Sequence, residues 1–379
     1  MKKSLFFTVL FGGVVLLTNM AAAVERHVPS EYSTIQGAIN DCHNGDVVIV
    51  AAGTYYESLN MYGGQYNLNC TVRSTDPNDW DVVAATIIDG NGAATTVTLA
   101  NNLQGNFMGF TITGGTRGAC LQSGTDMVLS KCVIANNGGT GVSVNSCNGK
   151  VSNCIIKDNG AEGVSTGNGA LTLKNSIISG HTTGVAVSFY TNPTITNCTI
   201  VDNTNYGVTT AVVYSSAHIL NCILWNNGDD LDDNCHATYS CIQDTDDDAN
   251  GTGNIADDPC FVTGPDGDFY LSQIAAGQAV DSPCVDAGSD TAANLGMDIL
   301  TTRTDRVSDG GIVDMGYHSV LNPADINGDG NVNLVDFAIL ASQWLQAPGV
   351  PSADIAPLGG DDIVDGLDLG VLTDNWLGL

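Results

Sequence analysis

Asn153-Cys-Ile-Ile-Lys-Asp-Asn159 has four counterparts in the chain: Lys131-Cys-Val-Ile-Ala-Asn-Asn137, Asn175-Ser-Ile-Ile-Ser-Gly-His181, Asn197-Cys-Thr-Ile-Val-Asp-Asn203 and Asn221-Cys-Ile-Leu-Trp-Asn-Asn227. Their first members, Lys131, Asn153, Asn175, Asn197 and Asn221, follow one another at an almost constant step. Phe110-Thr-Ile112 and Thr86-Ile-Ile88 carry the register two units earlier. Self-similarity at so short a period marks a solenoid, in which each unit buries its apolar face only against its neighbours.

Each unit holds two further apolar runs. One is opened by glycine, as in Gly141-Val-Ser-Val144, Gly163-Val-Ser-Thr166, Gly184-Val-Ala-Val187 and Gly207-Val-Thr-Thr210; the other precedes the asparagine, as in Leu171-Thr-Leu173 and Thr194-Ile-Thr196. Three short strands separated by Gly and Asn turns fill the unit and leave no room for a helix. Such units coil into an all-β prism of three parallel sheets, with successive coils ~4.8 Å apart. Equivalent residues then stack in columns. Ile134, Ile156, Ile178, Ile200 and Leu224 are expected to form an apolar spine. Cys132, Cys154, Ser176, Cys198 and Cys222 are expected to form a second column of packing thiols, since a free cysteine behaves as a small hydrophobe. Asn153, Asn175, Asn197 and Asn221 are expected to bond amide to amide and satisfy buried turn groups.

From Val28 to His318 the chain resembles the pectate-lyase-like right-handed parallel β-helix family. Thr34-Ile-Gln-Gly-Ala-Ile39 is similar to its amphipathic cap helix, Gly45-Asp-Val-Val-Ile-Val50 to its first strand, and Gly53-Thr-Tyr55 with Glu57 to the turn that follows. Asp258-Pro-Cys-Phe261, Gly267-Asp-Phe-Tyr-Leu271, Ser282-Pro-Cys284, Asp286-Ala-Gly288 and Asp314-Met-Gly-Tyr317 resemble closing coils, which hide the open end of the solenoid. Cys42 with Cys70, and Cys260 with Cys284, lie outside the thiol column and are open to pairing.

Residues 1–23 combine Lys2 and Lys3, an apolar run from Leu5 to Leu17, and Ala21-Ala22-Ala23, the pattern of a secretory signal peptide. The expected division is a signal over 1–23, a β-helix domain over 24–320 and a C-terminal module over 321–379. No later stretch approaches the ~20 apolar residues of a membrane helix, so a secreted, extracellular protein without a transmembrane segment is expected, with attachment to a cell surface open. The chain has 11 Lys+Arg against 41 Asp+Glu. With Met1 to Ala23 removed, and Lys2 and Lys3 with them, the balance is 9 − 41 = −32. Nucleic acid is excluded as a partner, because phosphate binding needs a basic face. Divalent cations are favoured.

At Ala324 the pattern changes. Asp325-Ile-Asn327-Gly-Asp329-Gly-Asn331-Val-Asn333-Leu-Val-Asp336 has the spacing of an EF-hand calcium loop: side-chain oxygens at positions 1, 3, 5, 9 and 12, a backbone carbonyl at Asn331, and glycine for the turn. Phe337 to Leu345 has helical periodicity. A second copy places Asp354, Asp361, Asp365 and Asp368 at matching positions after an insertion around Pro357-Leu-Gly-Gly360. Asp336–Leu345 and Asp368–Leu377 align without gaps, each closing on Trp-Leu. The two loop–helix copies, Ala324 to Leu379, resemble a type I dockerin module, which implies Ca2+ as cofactor and a cohesin-type protein as partner. The second copy departs from the pattern, with Ala356 at a ligand position and Asp362 where glycine is usual. Leu334-Val335 and Gly366-Leu367 stand where a hydroxyl pair often governs cohesin choice in that family.

In relatives of this fold the substrate lies along one sheet, here the one made by the Gly-Val strands, whose outward residues are Ser143, Ser165, Ala186 and Thr209. Arg117, Lys157, Asp158, Glu162, His181, Asp202 and Tyr206 flank that face in the turns. Arg117, Glu162 and Tyr206 share one turn position. Asp158 and Asp202 share another, two coils or ~9.6 Å apart, beside the ~6.5–9.5 Å carboxyl separation of inverting glycosidases. Arg117 or Lys157 would serve a lyase as the base that takes a proton alpha to a uronate carboxylate. The competing reading makes all seven solvated turn residues, since surface charges need no further explanation. Asp229-Asp-Leu-Asp-Asp233 and Asp244-Thr-Asp-Asp-Asp248 read as calcium-stabilised loops. Two functions follow: a polysaccharide lyase or glycoside hydrolase carried by a dockerin, or a non-catalytic polysaccharide-binding, surface-structural β-helix.

Overall fold

A computed structural model describes residues 23–62, 68–124, 126–210, 214–232, 234–244, 251–322, 324–327, 332–349, 352–356 and 363–374. Among the described residues, three parallel sheets of ten, nine and seven strands wind around one core. Within a coil the chain passes from the first sheet (for example Ala170–Lys174) to the second (Ile177–Ser179) and the third (Thr183–Ser188). The register matches the repeat: Ile112, Ile134, Ile156, Ile178, Ile200 and Leu224 are successive partners in the second sheet, and all are fully buried. Ile88 precedes them and Ile242 follows. Each side chain removed from water contributes about 1.5–3 kcal/mol, so this column is a principal source of cohesion between coils. The molecule is a right-handed parallel β-helix.

The corners explain the asparagines. Between the first and second sheets a single left-handed residue turns the chain: Lys131, Asn153, Asn175, Asn197 and Asn221 have φ from 47° to 54°. Asparagine tolerates that region better than other residues with a Cβ. Between the second and third sheets the left-handed residues are Gly114, Asn136, Asp158, Gly180, Asp202 and Asn226.

The expected amide ladder lies elsewhere. In the column Asn153 to Asn221, one amide contact between asparagines is made, from Asn175 Nδ2 to Asn153 Oδ1 at 2.7 Å. The continuous ladder is formed by the last residue of each heptapeptide. Asn137 Nδ2 donates to Asn159 Oδ1 (2.9 Å), Asn159 Nδ2 to His181 Nε2 (3.2 Å), His181 Nδ1 to Asn203 Oδ1 (3.2 Å) and Asn203 Nδ2 to Asn227 Oδ1 (2.9 Å). These side chains sit inside the corner and also accept from the backbone N–H of the preceding coil, as Asn203 Oδ1 does from His181 N. The Asn153 column instead faces outward, where a later segment bonds to it.

The thiol column is buried and unbridged: Cys132, Cys154, Cys198 and Cys222 are fully buried, and all twelve cysteines are free. Cys198 N donates to Cys222 Sγ and Cys154 N to Ser176 Oγ, so Ser and Cys are interchangeable acceptors here. Cys42 and Cys70 have their sulfurs 2.7 Å apart. Cys284 packs with Cys241 in a cluster with Ile223 and Met315, in place of the Cys260 partner that the sequence suggested.

Both ends depart from the repeat. Helix Ile35–Asn40 caps the N-terminal end and buries Ile35, Ala38 and Ile39. The strand resembling the family's first, Val47–Val50, is preceded by Glu25–Val28, which pairs with it in parallel. A further helix, Trp80–Ala85, capped by Asp79, lies outside the second sheet, where Thr111 Oγ1 donates to Val83 O. The expected closing coils do not continue the winding. Phe261–Gly264 and Gly267–Leu271 form an antiparallel hairpin. The chain then returns along the outside of the first two sheets: Ser289 N donates to Asn221 Oδ1, Tyr317 N to Thr199 Oγ1, and His318 N to Asn175 Oδ1, with Asn175 Nδ2 bonding back to His318 O.

Candidate functional site

The third sheet presents the column Asn60, Thr98, Cys120, Ser143, Ser165, Ala186 and Thr209 outward. These residues are small and uncharged because neighbouring coils bring equivalent side chains within ~4.8 Å. Cys120 and Ser143 are covered by the longer Gln122 and Asn145, and Asn145 Nδ2 donates to Ser143 Oγ at 2.7 Å. The result is a flat strip of hydroxyls and amides.

Charged groups stand only at its edge. Thr95, Arg117, Glu162, Thr183 and Tyr206 are the first residues of their strands, where the sequence suggested turn positions for Arg117, Glu162 and Tyr206, and Thr140 stands just before its own strand. Arg117 is exposed and reaches Thr95 Oγ1, while Glu162 accepts from Thr140 Oγ1 at 2.8 Å. Arg117 and Glu162 are separated by the intervening coil of Thr140 and make no contact with each other. Asp158 and Asp202 are exposed in the left-handed corner column with Gly180 between them, and Asp202 accepts from Asn226 Nδ2. A Cβ at Gly180 would meet Asp158 Oδ1 at 2.5 Å. The column's own demand for Asn, Asp or Gly accounts for both carboxylates. Lys157 ends the strand Ile155–Lys157 and is exposed.

His181 is not a surface group. It is 1 % exposed within the amide ladder. Burial pushes its imidazole down to about 4, with the Asn203 contact and Asp158 partly opposing. A neutral ring fits this slot: Nε2 must accept from Asn159 while Nδ1 donates to Asn203, and a second ring proton would point at the Asn159 amide hydrogens.

The aspartate clusters also serve the fold. Asp230 is buried and ends the ladder, accepting from Asn227 Nδ2 (2.7 Å) and Gln243 N (2.8 Å). Asp232 accepts from Thr209 Oγ1 (2.7 Å) and Thr210 Oγ1 (2.9 Å), finishing the last strand of the third sheet. Asp233 and residues 245–250 lie outside the described residues. Among the described residues, no group of three or more His, Cys, Asp or Glu is arranged to hold a metal ion.

The feature of this face that motif reasoning missed is aromatic. Tyr62, Phe189, Tyr190, Tyr206 and Tyr214 are 51, 57, 72, 37 and 74 % exposed, and all border the third sheet. Tyr206 opens the strand Tyr206–Thr210, Tyr62 closes the strand Leu59–Tyr62, and the other three stand on the corner where the sheet ends. Tyr190 and Tyr214 stack with centroids 5.7 Å apart. Phe189 and Tyr190 have φ of 41° and 55°, at a corner where Ser146 and Asn168 take the left-handed conformation in earlier coils. Bulky residues there cost roughly 1 kcal/mol each. The signal was available: two aromatics interrupt a run of Ser and Asn turns.

The C-terminal module has its own small core of Ala324, Ile326, Val332, Leu340, Ala353, Val364 and Leu372. Its helices are Leu334–Ser342 and Gly366–Asp374. The first stops short of the expected Leu345, whose N–H donates instead to Val364 O. Asn333 and Asp336 form a capping box. Asp336 and Asp368 are fully buried and play the same part in each copy: Asp336 accepts from Asn327 N and Asn333 N, Asp368 from Ile355 N, Ala356 N and Asp365 N. Asp325 pairs with Arg306 at 3.4 Å, and Asp354 is part-buried. Asp329, Asn331 and Asp361 lie outside the described residues. The described residues of the expected ligand set, among them Asp325, Asp336, Asp354 and Asp368, carry oxygen donors, the kind a hard divalent cation takes.

Residues 66–250 match the family model described as right handed beta helix region. Among solved structures the chain is similar to pectate lyase Pel9A (12 % identity, TM-score 0.43, covering 74 % of this chain and 90 % of that one). It is also similar to an alginate lyase from Paenibacillus sp. str. FPU-7 (13 % identity, TM-score 0.33, covering 53 % and 95 %). No curated protein matches. Among the described residues, no helix is long and apolar enough to cross a membrane.

Proposed function

We propose that this is an exported polysaccharide-binding β-helix, tethered through its calcium-binding, dockerin-like module to a cohesin-type partner. The observation that carries the binding reading is the border of five exposed aromatic rings around one hydroxyl- and amide-lined sheet. A pyranose chain offers apolar ring faces and polar rims. The aromatics match the first and the Ser, Thr, Asn and Gln strip matches the second. The strip itself is neutral, so charge plays little part in holding an uncharged glycan, while the −30 of the whole chain would oppose an acidic one. Binding of an uncharged glycan is therefore expected to be nearly insensitive to salt.

Non-catalytic binding is preferred because the corner geometry accounts for Asp158 and Asp202, Glu162 is engaged with Thr140, and His181 belongs to the amide ladder. Arg117 and Lys157 remain exposed edge residues. Affinity electrophoresis against pectin, alginate, xylan and glucan gels tests the reading. At least one should retard the protein, and Tyr190→Ala with Tyr214→Ala should weaken retention by about tenfold, or ~1.4 kcal/mol. Equal mobility in every gel would defeat the proposal. New reducing ends or unsaturated uronates, lost in Lys157→Ala or Asp202→Asn, would replace it with a hydrolase or lyase. The tether is tested separately by mixing the protein with a panel of cohesins, with calcium and with chelator; absence of any calcium-dependent complex would remove it.

A further inference from the structure

Beyond Ala23 the chain has nine Lys and Arg side chains, and two of them, Lys131 and Lys174, line one cavity. The cavity is an open cleft of about 810 Å³. It lies at the corner of the first and second sheets, on the opposite edge of the first sheet from Tyr190 and Tyr214. One wall is the solenoid; the others come from the returning segment, including Met297 and Leu300, and from the C-terminal module near Asp354. Its volume falls in the ~300–1,000 Å³ range of small-molecule sites, which favour such junctions between units.

Both lysines break the repeat. Lys131 occupies the left-handed corner position that Asn153, Asn175, Asn197 and Asn221 fill in later coils, at φ 51°. Its ammonium donates to Asn78 Oδ1. Lys174 stands in register with Ser152 and Thr196, and its ammonium donates to Leu295 O at 2.9 Å. An ammonium has three donors, so each lysine keeps capacity toward the cavity. Burial pushes the Lys131 ammonium below its ordinary range, with Asp76 partly offsetting, so a bound anion would also relieve a desolvated cation. Departures from local rules are expected where a protein does something besides fold. Asp298 on the same lining is exposed and is an acceptor that suits a hydroxyl.

We propose that this cavity binds a small carboxylated sugar, with Lys131 and Lys174 holding the carboxylate, Asp298 taking a hydroxyl, and Leu300 lying against the ring. The ligand is either a free sugar acid or the terminal unit of an acidic glycan. The site stands independently of the reading of the third sheet.

Titration calorimetry on the full chain with D-glucuronate, D-glucose, acetate and a glucuronate-ended trisaccharide tests it. Glucuronate should bind at least tenfold more tightly than glucose or acetate. The trisaccharide should match it if the natural ligand is free, and exceed it if a chain end enters. Lys131→Met and Lys174→Met, which keep the apolar stems, should each weaken glucuronate at least tenfold while melting temperatures stay near that of the parent. Lys131→Asn, restoring the residue of the other coils, should fold at least as well and also lose binding. The Tyr190→Ala, Tyr214→Ala protein should bind glucuronate unchanged, which separates this site from the glycan face. Absence of glucuronate binding, equal affinity for glucose or acetate, or full affinity in Lys131→Asn would overturn the proposal.

Discussion

Histidine 181 occupies a slot that asparagine fills in the coils on either side, and the substitution carries a pH dependence. Its folded-state value of about 4 lies below the 6.5 of a free imidazole. Above pH ~6.5 both folded and unfolded forms are neutral there, and the contribution to stability is complete. As pH falls from 6.5 toward 4 the unfolded chain takes up a proton that the folded chain refuses. Stability then declines by on the order of 1.4 kcal/mol per pH unit from this one group. We predict that His181→Asn, which extends the amide ladder without a titrating ring, flattens urea-unfolding stability between pH 7 and 4.5. An unchanged slope would show that the ring is not held neutral. The aligned heptapeptides already put position 181 in one column with Asn137, Asn159, Asn203 and Asn227, yet the sequence leaves His181 among the turn residues flanking the candidate face; only the structure shows that this column turns inward.

At the level of elements, the cap helix shows what a sequence reveals and what it hides. Thr34 announces the start of Ile35–Asn40 through local spacing, and its hydroxyl accepts from Gly37 N at 3.1 Å. The stronger anchor is remote: Glu57 accepts from Ile35 N and Gln36 N at 2.9 and 3.0 Å, satisfying two first-turn donors from far along the chain. Glu57→Ala should cost about 1–2 kcal/mol and accelerate hydrogen exchange at the amides of Ile35 and Gln36, whereas Glu57→Gln should retain most of the protection. Exchange as slow as in the parent would show that the helix needs no such anchor. The same contrast runs through the fold. Columns such as Ile134 to Leu224 were legible because a fixed period makes neighbours in space equivalent in sequence. The amide ladder was assigned one corner away because both columns carry asparagine, and periodicity cannot say which side chains turn inward. The returning segment has no repeat to betray it, the aromatic border shows only as a break in the repeated Ser and Asn turns, and the carboxylates of the candidate face were legible as residues but not as corner formers.

For the whole molecule, two units with separate cores should respond separately to metal. We predict that calcium chelation melts the module around Leu340 and Leu372 and removes its helical signal, because inward-turned carboxylates such as Asp336 and Asp368 repel one another without a cation. The solenoid transition should stay in place. Calorimetry with and without chelator checks this: a single transition moving as one would contradict it, as would a module indifferent to Asp336→Ala. The segment from Ser289 to His318 has a different consequence, one of timing. It lies over coils made much earlier in the chain, and Ile177, Thr199 and Ile223, which face outward from the second sheet, are 5 % exposed or less with it in place. A nascent chain that has grown only as far as Pro283 would have wound its coils yet still present that greasy row to water. The protein should thus pass through a sticky adolescence during synthesis, and any truncation that spares the solenoid but removes this late-arriving cover should yield aggregates in place of a shorter soluble rod.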